Sequence, residues 1–530
     1  MRIAFLFLVF LGSLNAQDIA RPVEEVSFQI PKTLYVVGEK IWFEATVSSD
    51  QSPSPSQVLY AELVDRFSNS VAYTKVPLEQ GKALNYLLLS NAVPSDQYLL
   101  RVYTRISPYL DLDQGIAQQF VTVINPKIPP KATSEAGLTT KSQTESNQKV
   151  IQVSNSNPKP GDSFRVSVSG DPAKILSAGI SIANPYLEDE HRVIPSSELY
   201  SSIEAKDLLP ELFGHIVEAR VPRPDTTRTY FLSLHGKQSA LFTDRVDAEG
   251  EILFDAGGLS HWDRLIIQLE DGTEMEGLEI ISPVIRTKFK SDLNFPSLAI
   301  PQSDLSFLSQ LQKAAAVESY YVETFDQDSL EVVTGFVADY TYLLDDYTRF
   351  ETVETVIREY VPSVAVRIRD KKKEFRLLDE AGRAAFDSNP LILVDAMPVF
   401  DSDLLSAFNP KFLSKLEVLN REFYLNDRTY PGVLSFSSYT NNFGLFPLAP
   451  AARFFDYTGL QPLIELEKAQ FEKPATGGKF PDFRTVLFWD HSFEKDIQAP
   501  ATTGKFLFWV KYLDESGTVK VSRLYLTVAP

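Results

Sequence analysis

The sequence predicts a mainly β, multi-domain chain that is built from several β-sandwiches and one small α+β domain. Three observations lead to this prediction. The length of 530 residues, with 44% hydrophobic and 23% charged residues, fits several globular domains. Aromatic residues reach 12%, including 36 Phe and 22 Tyr, and aromatic residues favour strands. Short runs that alternate between apolar and polar residues recur between turn-forming residues along the chain.

Composition excludes several classes of function. The formal net charge of −19 disfavours a nucleic-acid partner, because basic patches supply most of that affinity. The chain has no Cys, so disulfides, thiolate metal sites, cysteine nucleophiles and a lipid anchor on an N-terminal Cys are excluded. Only 5 His are present and they are well separated, which disfavours His-based metal or acid–base sites. We therefore predict no cofactor and no metal, and composition disfavours an enzyme.

The first sixteen residues have the organisation of a secretory signal peptide. Arg2 supplies the positive start, Ile3 to Leu11 form an apolar core, and the small Ala16 stands at the cleavage position. The apolar run is too short to span about 30 Å of hydrocarbon as a membrane anchor. We predict cleavage before Gln17, export to the periplasm or outer membrane, no lipoprotein anchor and no transmembrane span.

The next residues, 17–127, alternate with a period of two and predict a β-sandwich. About seven strands fall within about 100 residues, as expected for this architecture. Gly38 marks a turn between the first strong strands, and Pro126, Pro129 and Pro130 end the unit. A linker is predicted over 128–149, because Lys131 to Gln148 is polar and contains no aromatic residue.

The second half of the chain mixes β and α patterns. Residues 150–290 predict one or two further β-sandwich modules, and 291–350 a helical connector with a helix from Leu305 to Val322. Residues 351–470 predict an α+β domain, in which the four apolar residues Leu391 to Val394 form a strand buried on both faces. Residues 471–530 predict a C-terminal β-sandwich module.

Several short motifs could carry chemistry, and each also has a structural explanation. Glu188 to His191 could bind a metal ion or form a solvated loop, and Asp401 to Asp403 could bind calcium or cap a helix. His261 to Asp263 could transfer protons or place Trp262 in a core. Lys371 to Lys373 fits a hairpin tip, and the aromatic residues from Phe506 to Tyr512 fit a sandwich core better than a carbohydrate platform. The structural explanation is favoured for each motif except the basic run Lys371 to Lys373, which a hairpin tip explains equally well.

Two regions resemble known families. The segments Leu34 to Phe43, Val58 to Leu63 and Pro94 to Thr104 resemble the second macroglobulin domain of large exported proteins of Bacteroidetes. The resemblance implies a fold that is mainly β, a chain of macroglobulin/immunoglobulin-like β-sandwiches. The thioester chemistry of some macroglobulins needs a Cys, which this chain lacks.

The α+β domain resembles the plug domain of TonB-dependent outer-membrane receptors. The resemblance rests on Leu391 to Phe400, Leu413 to Leu419 and Gly432 to Phe436. It implies an association with outer-membrane uptake or secretion. A receptor barrel would need several hundred further residues after the plug, so transport through this chain itself is not implied.

These observations predict a non-enzymatic exported envelope protein, a scaffold or binding component of an outer-membrane transport or secretion assembly. Its partners would be proteins of the outer membrane or periplasm. One alternative is a glycan- or peptide-binding module that serves a TonB-dependent transporter, and another is an enzyme with an unrecognised carboxylate site. No catalytic residue is predicted. The possible interaction loop consists of Asp395, Ala396, Met397, Pro398, Val399, Phe400 and Asp401.

Overall fold

A computed structural model describes residues 23–130, 150–169, 171, 174–317, 331–333, 335–379, 382–426, 428–464, 481–491 and 494–529. The predicted signal peptide and the polar tract of the predicted linker lie outside these residues. The fold is mainly β with many sheets, as the sequence predicted. None of the helices in the described ranges has the length and apolar character needed to cross a lipid bilayer.

Residues 24–124 form the N-terminal sandwich. Its elements are β1 (Glu24–Gln29), β2 (Leu34–Val36), β3 (Lys40–Ser49), β4 (Ser52–Pro53), β5 (Val58–Val64), β6 (Ser70–Pro77), β7 (Lys82–Leu88), β8 (Asp96–Thr104), α1 (Ser107–Leu110) and β9 (Ala117–Ile124). One sheet pairs β3 with β1, β4 and β7, and the facing sheet has the order β2-β9-β8-β5-β6. Gly38, at φ +92°, turns the chain between β2 and β3, a conformation that glycine adopts without strain.

The rest of the chain contributes to three further units. Its first part contains β10 (Ile151–Val153), β11 (Ser163–Val168), β12 (Ile175–Ile182), α2 (Ser196–Leu199), β13 (Tyr200–Ile203), β14 (Ile216–Arg220), β15 (Thr229–Gly236), β16 (Gln238–Arg245), β17 (Glu251–Asp255), β18 (Trp262–Leu269), β19 (Glu279–Ile280), β20 (Thr287–Phe289) and α3 (Leu305–Ala316). Its second part contains β21 (Glu331–Val333), β22 (Tyr340–Leu343), α4 (Val353–Tyr360), β23 (Val364–Arg369), β24 (Lys372–Asp379), β25 (Ala384–Ala385), β26 (Leu391–Val394), β27 (Met397–Pro398), α5 (Ser402–Ala407), β28 (Leu413–Leu419), β29 (Phe423–Leu425), β30 (Arg428–Tyr430), β31 (Val433–Ser438), β32 (Arg453–Asp456), β33 (Val486–Asp490), β34 (Glu494–Gln498), β35 (Gly504–Leu513) and β36 (Val519–Val528).

The C-terminal strands complete a sandwich that begins more than 300 residues earlier, which we call the split sandwich. One sheet has the order β10-β11-β34 and the other β33-β12-β35-β36. Phe164, Ile180 and Phe508 from these sheets share one core with Leu308 of α3. The predicted independent C-terminal module, 471–530, is therefore wrong. Antiparallel pairing of β12 with both β33 and β35 joins the two segments.

Residues 216–280 form the central sandwich. Its sheets have the orders β17-β14-β19 and β21-β16-β15-β18-β32, so it also recruits β32 from late in the chain. The predicted region 150–290 is thus part of two different sandwiches, and each of them needs strands from outside that region. In the described part of the predicted helical connector, α3 ends at Ala316, earlier than the predicted Val322, and β22 already belongs to the sheet of the next domain. Residues 318–330 lie outside the described ranges.

The α+β domain has a five-stranded sheet with the order β22-β28-β31-β26-β27. Strand β26 pairs in parallel with β31, and its four residues point alternately into two cores, so the prediction of a strand buried on both faces is confirmed. Helices α4 and α5 and the sheet β23-β24-β25 cover one face. This placement sets the position of the predicted interaction loop.

Candidate functional site

The predicted interaction loop lies between β26 and α5 and is mostly buried. Asp395 and Ala396 form its tight turn at φ 47° and 66°. The Asp395 carboxylate accepts hydrogen bonds from the backbone N–H of Ser438 at 2.6 Å and of Phe443 at 2.8 Å. All residues from Asp395 to Val399 are buried. The first five residues of the loop therefore hold the domain together and offer no surface to a partner.

The last two residues of the loop reach the surface, but both have local roles. The Phe400 ring stacks on Phe231 of the central sandwich, with 6.3 Å between the ring centroids. The Asp401 carboxylate accepts a hydrogen bond from the Leu404 N–H at 3.0 Å and caps α5, as the structural explanation of this motif predicted. The loop contributes to an interface between two domains of the same chain.

The structure corrects one of the other structural explanations and agrees with the rest. The acidic segment was predicted to be a solvated loop, but only Glu188 and Asp189 are exposed. Glu190 and His191 are buried, where burial raises the pKa of Glu190 to about 7 and the His191 ring stacks on Trp509 at 4.3 Å. Trp262 is a core residue of the central sandwich. Lys371 lies in the turn of the β23–β24 hairpin, and Phe508 lies in the core of the split sandwich.

The densest group of chemically capable side chains lies where three parts of the chain meet, and we call it the three-way cluster. Tyr60 of β5 and Lys75 of β6 come from the N-terminal sandwich, Glu211 and His215 precede β14, and Tyr457 follows β32. The Tyr60 hydroxyl donates to the Glu211 carboxylate at 2.9 Å, and His215 Nδ1 lies 2.8 Å from Glu211 Oε1. His215 Nε2 lies 2.8 Å from the Tyr457 hydroxyl.

The electrostatics of the three-way cluster fix the direction of these hydrogen bonds. Burial, with the charge of Lys75, lowers the pKa of His215 to about 4, so the imidazole is neutral at physiological pH. Burial raises the pKa of both Tyr60 and Tyr457, so their hydroxyls stay protonated. His215 Nδ1–H therefore donates to Glu211, and Nε2 accepts from the Tyr457 O–H.

Lys75 is the exceptional member of the three-way cluster. Its side chain is fully buried, and its ammonium nitrogen makes no hydrogen bond with the described residues. The nitrogen lies 3.9 Å from the centre of the Tyr457 ring, a cation–π contact. Burial lowers the pKa of Lys75 to about 7, with the charge of Glu211 opposing this change.

Two buried ion pairs also lie at contacts between the N-terminal sandwich and later segments. Arg105 Nη2 lies 2.7 Å from the Glu218 carboxylate on β14. Arg101 Nε lies 2.7 Å from Glu62, and the same guanidinium donates to the Ile285 carbonyl at 2.8 Å. Both arginines therefore connect the N-terminal sandwich to later segments of the chain.

The arrangement brings together acid, base and hydroxyl groups. The Glu211–His215 bond lies within one segment, whereas the Tyr60–Glu211 and His215–Tyr457 bonds each join segments that are distant in sequence. Tyr60, Glu211, His215 and Tyr457 are all buried. Sequence reasoning missed this cluster. One signal was available. Strand β5 has one charge, Glu62, and β8 has one charge after its first residue, Arg101, each within a largely apolar run, which indicates that both faces of the sheet are covered.

A groove of about 750 Å³ lies on another side of the N-terminal sandwich. Pro126, Pro129 and Pro130 line one side, and Leu298 and Leu308 line the other. The groove is thus apolar along much of its length and is formed by two segments that are distant in sequence.

The comparisons with known proteins give distant structural likenesses only. Salmonella alpha-2-macroglobulin reacted with methylamine matches 96% of this chain with 9% identity and a TM-score of 0.16. The native conformation of E. coli alpha-2-macroglobulin matches with 8% identity and a TM-score of 0.16, and a tetra-tandem repeat from a large adhesion protein matches 100% of its own length with 7% identity and a TM-score of 0.14.

This chain spans 24% of the Salmonella protein and 23% of the E. coli protein. TM-scores this low mean that the chains do not superpose as wholes, so the likenesses carry no argument about function. No protein-family profile matches the sequence, and no curated protein matches it.

Proposed function

We propose that this protein is a non-enzymatic, exported envelope protein that acts as a scaffold or binding component of an outer-membrane transport or secretion assembly. The observation that carries the proposal is the three-way cluster. Its Glu211, His215 and Tyr457 have the chemistry of an active site, yet their hydrogen bonds connect three distant segments. Because these residues hold domains together at rigid junctions, their arrangement is the one expected of a scaffold.

The interlocked domains support the same proposal. The split sandwich and the central sandwich each contain strands from distant parts of the chain. The domains are therefore not independent units joined by flexible linkers. A rigid multi-domain body can hold partners at fixed positions. The apolar start of the sequence, from Ile3 to Leu11, supports export before this body folds.

The experiment combines fractionation with site-specific cross-linking in the native host. A photo-reactive residue would replace Phe67, Phe213 or Tyr424, which are strongly exposed aromatic side chains on three different units. We expect processed protein that begins at Gln17 in the envelope fraction, and a cross-linked envelope protein from at least one position. The same photo-reactive residue at Lys82 of β7 is the control, because that position is also exposed but is not an exposed aromatic side chain.

The proposal would be contradicted if the protein kept Met1 and remained in the cytoplasm, or if no position gave a product different from the Lys82 control. The enzyme alternative would be supported if the protein showed a measurable turnover that His215→Gln abolished, with a melting temperature within a few degrees of the wild type.

The peptide-binding alternative is favoured by one observation, the apolar groove beside Pro129 and Leu308. An extended peptide suits such a groove better than a glycan does, because glycans are bound by aromatic faces with polar neighbours. Selection of displayed peptides against the wild type and against Ser309→Trp tests it, since Ser309 lines the groove. Peptides that bind both proteins equally would exclude the groove.

A further inference from the structure

The hairpin of β23 and β24 carries an unusual concentration of positive charge for this acidic chain. Between Arg367 and Lys373 the sequence contains five basic residues and one acidic residue, whereas the whole chain has a net charge of −19. Asp370 and Lys371 form the turn at φ 50° and 66°. We call the segment from Arg367 to Lys373 the basic hairpin.

Only part of this charge is neutralised within the molecule. Lys373 pairs with Glu354 of α4 at 2.5 Å. Arg369 lies 4.0 Å from Asp370, whose side chain is 95% exposed. In the part of the chain that the structure describes, Arg367, Lys371 and Lys372 form no ion pair.

The positive charges share one face of the basic hairpin. Arg367 lies opposite Glu374, and Arg369 lies opposite Lys372, so these side chains project from the same side of the two strands. Glu374 is itself paired with Arg376. Arg367, Arg369 and Lys372 therefore form an exposed cationic face with Lys371 at the turn.

The other face of the basic hairpin ends in an exposed apolar residue. Val364 and Val366 point toward the core of the α+β domain, and Ile368 continues the same face beyond that core. The Ile368 side chain is 72% exposed. This exposed apolar side chain contributes little to the core of the domain, so its position at the end of a cationic hairpin calls for another explanation.

We propose that the basic hairpin docks the protein onto an anionic lipid surface. Its cations would lie at the level of the lipid head groups, and Ile368 would reach the boundary with the acyl chains. An acidic protein surface would pair with the cations but would give the Ile368 side chain no apolar contact. A lipid surface offers both, because its head groups pair with the cations and its acyl chains contact Ile368. The inference rests on the proposed envelope location and deepens it.

The negative charge of the whole chain does not prevent this docking. At physiological ionic strength the Debye length is about 8 Å, so charges far from the contact are screened. The acidic groups near the basic hairpin are Glu354, Glu374 and Asp403, each of which is bonded to the hairpin or its strands, and the exposed Asp370. The local balance therefore stays positive at the tip.

The test is co-sedimentation of the full chain with vesicles of phosphatidylcholine, with or without about 30% phosphatidylglycerol. We expect binding only to the anionic vesicles, and loss of that binding when salt is raised from about 0.1 M to about 1 M. The triple variant Arg367→Gln, Arg369→Gln, Lys372→Gln should bind about a hundredfold more weakly, and Ile368→Ser about tenfold more weakly.

A matched control removes the same charge elsewhere. The variant Lys82→Gln, Arg223→Gln, Arg286→Gln also loses three exposed positive charges and should bind like the wild type. Equal loss in both triple variants, no binding to anionic vesicles, or binding of soluble polyglutamate in place of vesicles would overturn the proposal. Such a failure would leave the scaffold role intact, because the cross-linking experiment tests that role without vesicles.

Discussion

At the scale of single residues, Lys75 has the environment least suited to its chemistry. Its ammonium group is fully buried, contacts the Tyr457 ring and makes no hydrogen bond with the described residues. A buried charge is costly unless it is paired, and a shifted pKa is the usual response. Replacement by an apolar side chain of similar length should therefore stabilise the protein, even though the residue lies at the centre of a junction.

We expect Lys75→Met to raise the free energy of unfolding, and to do so in a pH-dependent way. Burial lowers the pKa of Lys75 in the folded protein from 10.5 to about 7. The wild type therefore loses stability as the pH falls from about 10 to about 7, by at most about 1.4 kcal/mol per pH unit, and the variant does not.

Urea unfolding at about pH 10 and about pH 7 measures the difference in free energy of unfolding between Lys75→Met and the wild type. This difference should be larger at the lower pH. Lys82→Met changes an exposed lysine of β7 and serves as the control, with a small change that does not vary between the two pH values. A constant difference for Lys75→Met would show that the ammonium group titrates normally.

The hydroxyl of Tyr457 gives a second prediction at this scale. Tyr457→Phe leaves Nε2 of the buried His215 without its donor, which lies 2.8 Å away. We expect a loss of about 1–3 kcal/mol in the free energy of unfolding. Tyr439→Phe, which removes a hydroxyl from an exposed tyrosine that is bonded to Asp345, should change it by less than about 0.5 kcal/mol. Equal effects of the two variants would show that the hydrogen bond between Tyr457 and His215 does not stabilise the three-way cluster.

At the scale of elements, β26 is the strand on which the α+β domain depends. Leu393→Ala should lower the free energy of unfolding by about 2–5 kcal/mol, because it removes a side chain that is buried against Leu419 and Val433 and leaves a cavity. Leu343→Ala in β22 of the same sheet is the control, since that side chain is 53% exposed. Denaturant unfolding of both variants measures the difference, and similar losses would show that β26 is not a core strand.

Local sequence patterns predicted the secondary-structure elements well where the order of apolar and polar residues directly indicates burial. Four consecutive apolar residues placed Leu391 to Val394 inside a sheet, and Gly38 marked a turn that the structure contains. The predicted interaction loop, Asp395 to Asp401, shows the limit of such reasoning. A loop that carries an interaction needs an exposed surface, but residues 395–399 are buried and Phe400 stacks on Phe231 of the central sandwich. No local sequence pattern indicates that contact.

At the scale of the whole molecule, the predicted modules at 150–290 and 471–530 are wrong as separate units because strand pairing is not local. Residues 486–528 alternate like an independent sandwich, yet they pair with Ile175–Ile182. The same applies to the three-way cluster, whose members Tyr60, Glu211 and Tyr457 lie far apart in sequence. Alternation fixes which face of a strand is buried, but the partner strand is chosen by the complete fold.

The split sandwich gives the last prediction. Removal of residues 481–530 takes away β33 and β35, the two neighbours of β12, and most of the aromatic core around Phe164. We expect the backbone amides of Ile175–Ile182 to exchange with deuterium at the rate of an unfolded chain in the truncated protein. The amides of β8 should stay protected, because the N-terminal sandwich has a core of its own.

Co-expression of residues 481–530 as a separate chain is the matched control. These residues should associate with the truncated protein and restore the protection of β12, since the pairing needs no covalent continuity. If β12 remained protected in the truncated protein alone, residues 150–182 would form a sandwich without the C-terminal strands. If protection were lost from β8 as well, the N-terminal sandwich would depend on the split sandwich, and the two would unfold as one cooperative unit.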